Sequence, residues 1–564
     1  MPGIKEQTGL QYDMVSRGEA EDGAGAAMKP APGAGSLTSS RAGLPAIIDD
    51  FGAMVEKRPE PVAVALMLLY AVVVAMNNQR PLWYDELTTN MPALVGGFDW
   101  DLRLGVQHGL LPALLAKISV AIFGRGNWAL RLPATLGYLG ASACIYTLLR
   151  RLRTGNLFAL FAVLIFWSTP SFDYAAEARP YGLILGLGAG LLLAWQRAVT
   201  EERRAWSLAA IALSELCLIF CHPLAILAAM PILFAEAARL RSRRKADWPL
   251  WICAGYPALG VVPIFLVHPV HPAYSPLLNG QLSNGIIFYL GILQSVAPAV
   301  MFAALAALLT IKPPAEAGLE ERGEAPSQWK LSPAFFALMA GGLAIPFVVN
   351  AVLALTLTNP YYPRYSIPGT LPVPIIAALI LARRTGRSAR AGVIALGAAF
   401  AFFLLGEMQR QHPEVWHAPP VATSLQVESR KDLPFVAASG LTFTEMAERE
   451  PASFLSRVYY LRDPEGAVRY AHSGLFETKD FVEYMGFLPK KGIVTPYADF
   501  IRTHRKFLVY GTVSYWEDWL LRRLMAEGAQ LVWLGQVRGS YKDVDLYEVT
   551  LAPESGMQGG EGTK

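Results

Sequence analysis

The stretch "PVAVALMLLYAVVVAMNNQRPLWYDELTTN", residues 61–90, joins an uninterrupted apolar run to two adjacent carboxylates. The apolar run from Pro61 to Met76 is predicted to form a helix that acts as an uncleaved membrane anchor. Asp85 and Glu86 follow where the chain would leave the bilayer. The stretch therefore predicts a membrane protein with an acidic pair at a membrane boundary.

The composition of the whole chain supports this class of protein. Of its 564 residues 53% are hydrophobic and only 17% are charged, and the apolar residues come in blocks. Several blocks reach the roughly 20 residues that a membrane-spanning helix needs. The four cysteines lie inside such blocks and form no CxxC pattern, so they indicate no disulfide framework. An ordinary soluble protein is excluded, and we predict a polytopic α-helical membrane protein.

Residues 1–60 are rich in Gly, Ala, Pro and charge, which predicts a disordered cytoplasmic tail. The transmembrane domain is expected at 61–406, and its first outer loop at 78–129. After the anchor, further spans are predicted near 130–149, 156–170, 180–196, 205–221, 223–238, 249–267, 285–311, 332–357, 366–382 and 391–406. The segment "LLPALLAKISVAIFG", residues 110–124, is ambiguous.

Loop charge determines the status of this segment. The later basic clusters, such as "RRLR" at 150–153 and "RLRSRRK" at 239–245, share the side of the basic N-terminal tail only if 110–124 does not span. We therefore expect 110–124 to lie in the outer interface. This arrangement predicts about eleven spans, a cytoplasmic N-terminus and an extracytoplasmic region after residue 406.

Several polar residues fall in the predicted outer loops. They are Asp85, Glu86, His108, Arg179, Tyr181, His222, His268, His271 and Arg364. Two interpretations of Arg179 and Arg364 stay open at this level: they anchor helices at the headgroups, or they bind an anionic group. The convergence of an acidic pair, arginines, tyrosines and histidines at one membrane boundary favours a reaction on a lipid phosphate ester.

Sugar transfer from a polyprenyl phosphate is a reaction that suits these residues. The leaving phosphate is a weak base, so the site needs cations or a metal rather than a carboxylic acid. The acceptor hydroxyl must lose a proton, and one carboxylate suffices as the base. Glycoside hydrolysis, in contrast, uses a pair of carboxylates as acid and base.

Four stretches, in this order, resemble the signature of the GT-C glycosyltransferase superfamily. They are "WYDE", "QHGLLPALLAKISVAIFG", "NWALRLPATLGYLGASACIYTLLRR" and "DYAAEARPYGLILGLGAGLLLAW". The similarity is to family 39, with its bacterial protein mannosyltransferase-like and aminoarabinose transferase-like branches. It covers 61–240 well and "NPYYPRYSIPG", residues 359–369, more loosely.

The resemblance implies a glycosyltransferase of the bacterial inner membrane that uses a polyprenyl-phosphate sugar donor. It implies that Asp85 is the catalytic carboxylate and that Arg179, followed by Tyr181, faces the donor phosphate. Arg364 lies in the looser match. His108 sits where relatives have a His or Lys followed by prolines, but this chain reads His-Gly-Leu-Leu-Pro, which weakens a phosphate-binding role.

A divalent metal is a further expectation, since some relatives bind one. Glu86 is predicted, with Asp85, as a catalytic residue, and the resemblance implies that it shapes the site or helps to bind the metal. His222 is a candidate ligand or an interfacial hydrogen bonder. No fixed ligand spacing connects them. Glu215 lies inside a span and is either functional or a helix-packing group. Glu236 and Arg239 are predicted to form a structural pair.

Residues 407–564 are polar and alternate β-rich with helical runs, which predicts a soluble extracytoplasmic α/β domain. It has no Gly-rich phosphate loop, so we expect a stabilising cap or acceptor recognition rather than chemistry. The alternative function is a lipid-linked sugar transporter or flippase, against which the sequence shows no pair of similar halves. Nothing in the sequence indicates nucleic acid binding.

Overall fold

The computed structural model describes residues 44–95, 109–256, 259, 282–310, 331–356, 361–410, 420–471, 492–515, 517–539 and 543–552. The chain divides into two compact units, residues 1–46 and 47–564. A helical domain and a C-terminal domain built on a β-sheet both belong to the second unit.

Helices account for nearly all of the described chain before residue 411. Their bounds are Leu44–Lys57, Glu60–Asn77, Tyr84–Val95, Leu110–Phe123, Asn127–Arg151, Asn156–Trp167, Tyr181–Val199, Arg204–Cys221, Met230–Arg243, Trp248–Gly255, Leu282–Thr310, Pro333–Thr356, Pro372–Arg384 and Ala389–Arg410. Shorter 3₁₀ helices occupy Pro170–Ala175, Pro223–Ala229 and Pro363–Thr370.

Among the described residues, nine helices are long and apolar enough to cross a membrane, which confirms the polytopic helical class. Two predicted spans have a different form. The block at 156–170 is the 12-residue helix Asn156–Trp167, and of the block at 249–267 the structure describes chiefly the helix Trp248–Gly255. Leu110–Phe123, predicted to lie in the interface, would extend only about 21 Å at 1.5 Å per residue, short of the roughly 30 Å hydrocarbon core.

The helix Asn156–Trp167 lies at the centre of the helical domain, and every residue in it is buried. Its first two free N–H groups, those of Asn156 and Leu157, donate to the carboxylate of Glu56 at 2.8 and 3.0 Å. The prediction of a disordered tail through residue 60 is therefore wrong at its end. Residues 44–57 are helical, because Glu56 anchors that helix to a buried helix terminus.

Small residues let the helices Asn127–Arg151 and Tyr181–Val199 contact each other through their backbones. A Cβ on Gly182 would lie 2.3 Å from the carbonyl oxygen of Ala134, and one on Gly186 would lie 2.4 Å from that of Gly137. Glycine at both positions lets the backbones approach closely, as small residues do between membrane helices. This packing places the segment just before Tyr181 beside the first turns of Asn127–Arg151.

The C-terminal domain contains a six-stranded mixed sheet in the order β3-β2-β1-β4-β6-β5. The strands are β1 Phe435–Ala437, β2 Val458–Arg462, β3 Ile493–Pro496, β4 Lys506–Tyr510, β5 Gln530–Arg538 and β6 Asp543–Thr550. Strands β3, β2, β1 and β4 run parallel, and β6 pairs antiparallel with β4 and β5. The predicted α/β class is confirmed by this sheet and its helices, the longer of which are Gly440–Arg449, Pro464–Ala471, Tyr497–Thr503 and Trp519–Ala526.

Each face of the sheet has its own apolar core. Phe435, Ala437 and Tyr460 belong to the core on one face, whereas Val436 and Val509 belong to the core on the other. This alternation is the period of two that a strand imposes on its side chains. The sheet is therefore buried on both sides, as its parallel strands require.

Candidate active site

The predicted catalytic carboxylate lies where two distant arginines meet. Asp85 is in the first turn of the helix Tyr84–Val95 and is 9% exposed. Its Oδ2 atom lies 2.6 Å from Nη1 of Arg179 and 3.2 Å from Nη1 of Arg364. The residues predicted from three separate outer loops thus form one cluster around a single carboxylate oxygen.

Aromatic rings hold both guanidinium groups. The guanidinium carbon of Arg179 lies 4.9 Å from the ring centre of Tyr181 and 5.4 Å from that of Trp83. That of Arg364 lies 4.1 Å from the ring centre of Tyr362. Such cation–π contacts orient a guanidinium group without using its hydrogen-bond donors. The donors therefore stay available for an anionic ligand.

Some of these donors are buried and unsatisfied. Within the described part of the chain, Nε of Arg179 and Nε of Arg364 are buried and have no hydrogen-bond partner. A guanidinium group has five N–H donors, and a buried donor without a partner is costly. Two positive charges facing Asp85, with donors left over, are suited to an anion that offers several oxygen atoms.

Glu177, two residues before Arg179, is not among the residues predicted from the sequence. Its Oε2 atom is buried and has no hydrogen-bond partner among the described residues. Burial, opposed by Arg179 and assisted by the charges of Glu86, Asp173 and Asp85, raises the pKa of Glu177 to about 8. The carboxyl group is therefore neutral at neutral pH and leaves the positive charge of the arginines in place.

Glu86 is fully engaged in a different set of contacts. Its carboxylate accepts two hydrogen bonds of 2.7 Å from Arg131, one of 2.7 Å from the backbone N–H of Ala178 and one of 3.3 Å from that of Trp83. A carboxylate has about four acceptor positions, so these bonds saturate it. The expected catalytic or metal-binding role of Glu86 is not supported by this geometry, which gives it a positioning role.

Glu86 positions Arg179 through the residue before it. Ala178 donates its N–H to Glu86, and its carbonyl accepts a 2.5 Å hydrogen bond from Nδ2 of Asn90. Both polar backbone groups of Ala178 are thus bound by the helix that carries Asp85. The backbone that presents Arg179 is fixed relative to Asp85 for this reason.

Arg131, which is not among the predicted site residues, completes this support. Besides Glu86, its guanidinium group donates to the backbone carbonyls of Asn78, Arg80 and Pro81 at 2.9 to 3.2 Å. It therefore fixes the turn that leads into Trp83 and Asp85. One feature of the sequence does indicate a role for Arg131. It lies in the second turn of an apolar helix, in "NWALRLP", where a charge without a partner would be costly.

His222 lies between aromatic rings near Arg364. Its ring stacks on Tyr365 at 5.3 Å and lies 6.5 Å from the ring of Tyr181. Its Nδ1 atom accepts a 3.2 Å hydrogen bond from the N–H of Leu224, which caps the 3₁₀ helix Pro223–Ala229. The structure thus brings His222 to the edge of the site and gives it a structural contact.

The described residues do not fit the metal site expected at Glu86 and His222. Within the part of the chain that the structure describes, no three His, Cys, Asp or Glu side chains are grouped to hold a metal ion. Glu86 also has no acceptor position left for a metal. The predicted residues His108, His268 and His271 lie outside the described residues.

Two further predicted groups lie away from Asp85. Glu236 pairs with Arg239 at 2.5 Å and accepts a 2.7 Å hydrogen bond from the indole N–H of Trp195, so it forms the structural pair expected. Glu215 is completely buried, and neither of its carboxyl oxygens has a hydrogen-bond partner within the described residues. Its role stays open between function and helix packing.

The C-terminal domain touches the helix that carries Asp85. The backbone N–H of Tyr84 donates to Glu445 at 3.3 Å, and Arg125 forms an ion pair with Glu448 at 3.7 Å. The side chain of Tyr84 packs against one apolar core of the sheet, together with Tyr515. Burial, together with the charge of Asp85, holds the pKa of the Tyr84 hydroxyl above its ordinary value.

A comparison with protein families bears on this arrangement. The model of the family described as dolichyl-phosphate-mannose-protein mannosyltransferase matches residues 107–267, which include Arg131, Glu177, Arg179 and His222. The resemblance to the GT-C glycosyltransferase superfamily is confirmed. The match covers less than half of the chain, and together with the apolar helices it supports a glycosyltransferase that is an integral membrane protein.

Two solved structures are similar to the chain over most of its length. ArnT from Cupriavidus metallidurans bound to undecaprenyl phosphate shares 14% identity with it at a TM-score of 0.49, and the apo state shares 13% at 0.47. Each similarity covers 86% of this chain and 98% of the ArnT chain. Among curated proteins, none matches the sequence.

Proposed function

We propose that the protein transfers a sugar from a polyprenyl-phosphate-linked donor to an acceptor hydroxyl at the extracytoplasmic face of the bacterial inner membrane. The observation that carries this proposal is the convergence of Arg179 and Arg364 on one oxygen of Asp85. The matching family is itself described by a dolichyl-phosphate-mannose donor. The acceptor is a lipid, a protein or another glycan.

The arginines bind the donor phosphate in this reaction. Two guanidinium groups, each with a buried and unsatisfied Nε–H, bind the phosphate oxygens that gain charge when the sugar leaves. Fixed donors in a site from which water is excluded stabilise such charge strongly. The neutral Glu177 adds no competing negative charge next to Arg179.

Asp85 is the base. The acceptor oxygen attacks the anomeric carbon, its proton passes to the Asp85 carboxylate, and the bond between the anomeric carbon and the phosphate oxygen breaks. The electron pair of that bond leaves with the polyprenyl phosphate and is held by Arg179 and Arg364. Both arginines contact Oδ2 of Asp85, so Oδ1 is the oxygen that accepts the proton.

The transporter alternative fits these observations less well. A carrier needs polar groups along a pathway that is open to both membrane faces in turn. Here Asp85, Arg179 and Arg364 gather at one end of their helices and are enclosed by aromatic rings. The contact between Tyr84 and Glu445 also ties this end to the C-terminal domain.

The test is mass spectrometry of envelope glycans and glycolipids from a deletion strain. A sugar that is missing there and restored by the wild-type gene identifies donor and acceptor together. Complementation with Asp85→Asn at equal membrane abundance should fail, since a lost base commonly costs about 10²-fold or more. Full restoration by Asp85→Asn, or an unchanged glycan profile in the deletion strain, contradicts the proposal.

Labelling with a thiol reagent that does not cross membranes tests the proposed orientation. A cysteine introduced at 480–490, in the C-terminal domain, should react in spheroplasts, whereas one at 315–325 should react only after permeabilisation. Both segments lie outside the described residues, so the experiment depends on their sequence position alone. The opposite pattern means that the site and the C-terminal domain, which are in contact, both face the cytoplasm.

A further inference from the structure

A groove opens between two helices at the end opposite Asp85. The helix Tyr181–Val199 begins beside the two site arginines, and Arg197 lies 16 residues later, about 24 Å along the helix axis. The groove lies between this end and the start of Arg204–Cys221. It therefore belongs to the other membrane face.

The groove has an apolar floor and a basic rim. It has a volume of about 730 Å³ and is lined by Gly190, Ala194 and Ala210 along the floor and by Arg197, Arg203 and Trp206 at the rim. A Cβ added to Gly190 would meet no atom within 4 Å, so the floor is open at this point. Trp206 is 77% exposed, which is typical of a tryptophan at the headgroup level.

The charge of the rim is positive. Arg197 and Arg203 are exposed, and neither forms an ion pair with a residue that the structure describes. The carboxylate of Glu202 at the same rim is bound by Arg151. With Arg151 and the neighbouring Glu201 both counted, three arginines stand against two carboxylates at the rim.

We propose that this groove binds one anionic phospholipid, with its phosphate at Arg197 and Arg203 and an acyl chain along Gly190, Ala194 and Ala210. Basic pockets between membrane helices are a recognised form of lipid headgroup site. The floor lies at the depth of the hydrocarbon, where an acyl chain is the available apolar ligand. A free phosphate would use only the rim and would leave the floor unexplained.

The experiment measures lipid binding to the full-length protein in detergent by native mass spectrometry. The probes are phosphatidylglycerol and phosphatidylcholine with the same acyl chains, and inorganic phosphate as a competitor. Wild type should prefer phosphatidylglycerol, and inorganic phosphate should not displace it. The double variant Arg197→Gln/Arg203→Gln should bind phosphatidylglycerol about 30-fold more weakly, from the usual contribution of two basic residues near a headgroup.

A second variant tests the floor separately from the charge. Gly190→Leu places a side chain in open space within a helix and should weaken binding of both lipids while the protein stays folded. The matched control is Arg384→Gln, an exposed arginine at the end of Pro372–Arg384 on the same face, which should bind like wild type. None of these residues belongs to the Asp85 site.

Three outcomes overturn the proposal. The first is equal binding of both lipids with no effect of the double variant. The second is displacement of phosphatidylglycerol by inorganic phosphate, which would make the rim a site for free anions. The third is a weakening of phosphatidylglycerol binding in Arg384→Gln as large as in the double variant, which would indicate attraction by general surface charge.

Discussion

The most informative perturbation is Glu86→Gln, because it separates a positioning role from a chemical one. The substitution keeps the shape of the side chain and removes the charge that Arg131 pairs with. The side chains of Arg131 and Glu86 are 2% and 0% exposed, and breaking such a buried pair costs about 3–5 kcal/mol. Arg131 keeps its three backbone carbonyl acceptors. We therefore expect a loss near 3 kcal/mol.

The assay is a denaturant titration in detergent micelles, combined with kinetics of sugar transfer. The double variant Glu86→Leu/Arg131→Met should recover part of the lost stability, because it leaves no buried charge uncompensated. The exposed Glu60→Gln serves as control and should change stability by less than about 0.5 kcal/mol. If Glu86→Gln has wild-type stability but no transfer activity, Glu86 takes part in the chemistry or in metal binding, and the positioning role is refuted.

Arg179→Lys keeps the charge but loses the planar fork, so kcat/KM should fall by roughly 10- to 150-fold, the value of one charge-assisted hydrogen bond. Arg364→Ala should lower kcat/KM less than Arg179→Ala does, since Arg364 is more exposed and lies farther from Asp85. If both alanine variants bind polyprenyl phosphate normally, the two arginines are interfacial anchors. Glu177 has a pKa raised to about 8, so its ionisation at higher pH places a negative charge beside Arg179 and donor affinity should fall above pH 8. Because the pKa of Glu177 is raised in the folded protein, the folded state keeps a proton that the unfolded state releases between about pH 4.5 and 8. The free energy of unfolding should therefore decrease as the pH rises through this range. Glu177→Gln should remove both dependences, and pH profiles identical to wild type would contradict this account.

The sequence was sufficient for the features that depend on local composition. Apolar blocks predicted the spans, because a bilayer requires long runs of apolar residues. The β-rich run "FLVYGT", residues 507–512, indicated β4 to within two residues, because aromatic and β-branched residues are enriched in strands. Strands β1 and β3 were missed, since three or four residues such as "FVA" carry too little pattern to identify.

Contacts between residues that are distant in sequence could not be predicted from the sequence. Arg131 and Glu86 are neighbours only because two helices and a turn converge, and neither residue signals its partner locally. The adjacent pair Asp85 and Glu86 also suggested a shared role. Successive side chains on a helix point about 100° apart, so Asp85 faces the arginines of the site while Glu86 faces the interior of the helical domain.

The packing of Tyr84 against the core of the C-terminal domain has a consequence for protein engineering. Tyr84 precedes Asp85, the proposed base; its side chain packs against the sheet domain, and its backbone N–H donates to Glu445. A chimera that exchanges residues 420–552 for another sheet must therefore reproduce the pocket for the Tyr84 ring. Truncation before residue 420 would likewise remove these contacts from the first turn of the helix Tyr84–Val95, so we expect the membrane part alone to hold Asp85 less firmly.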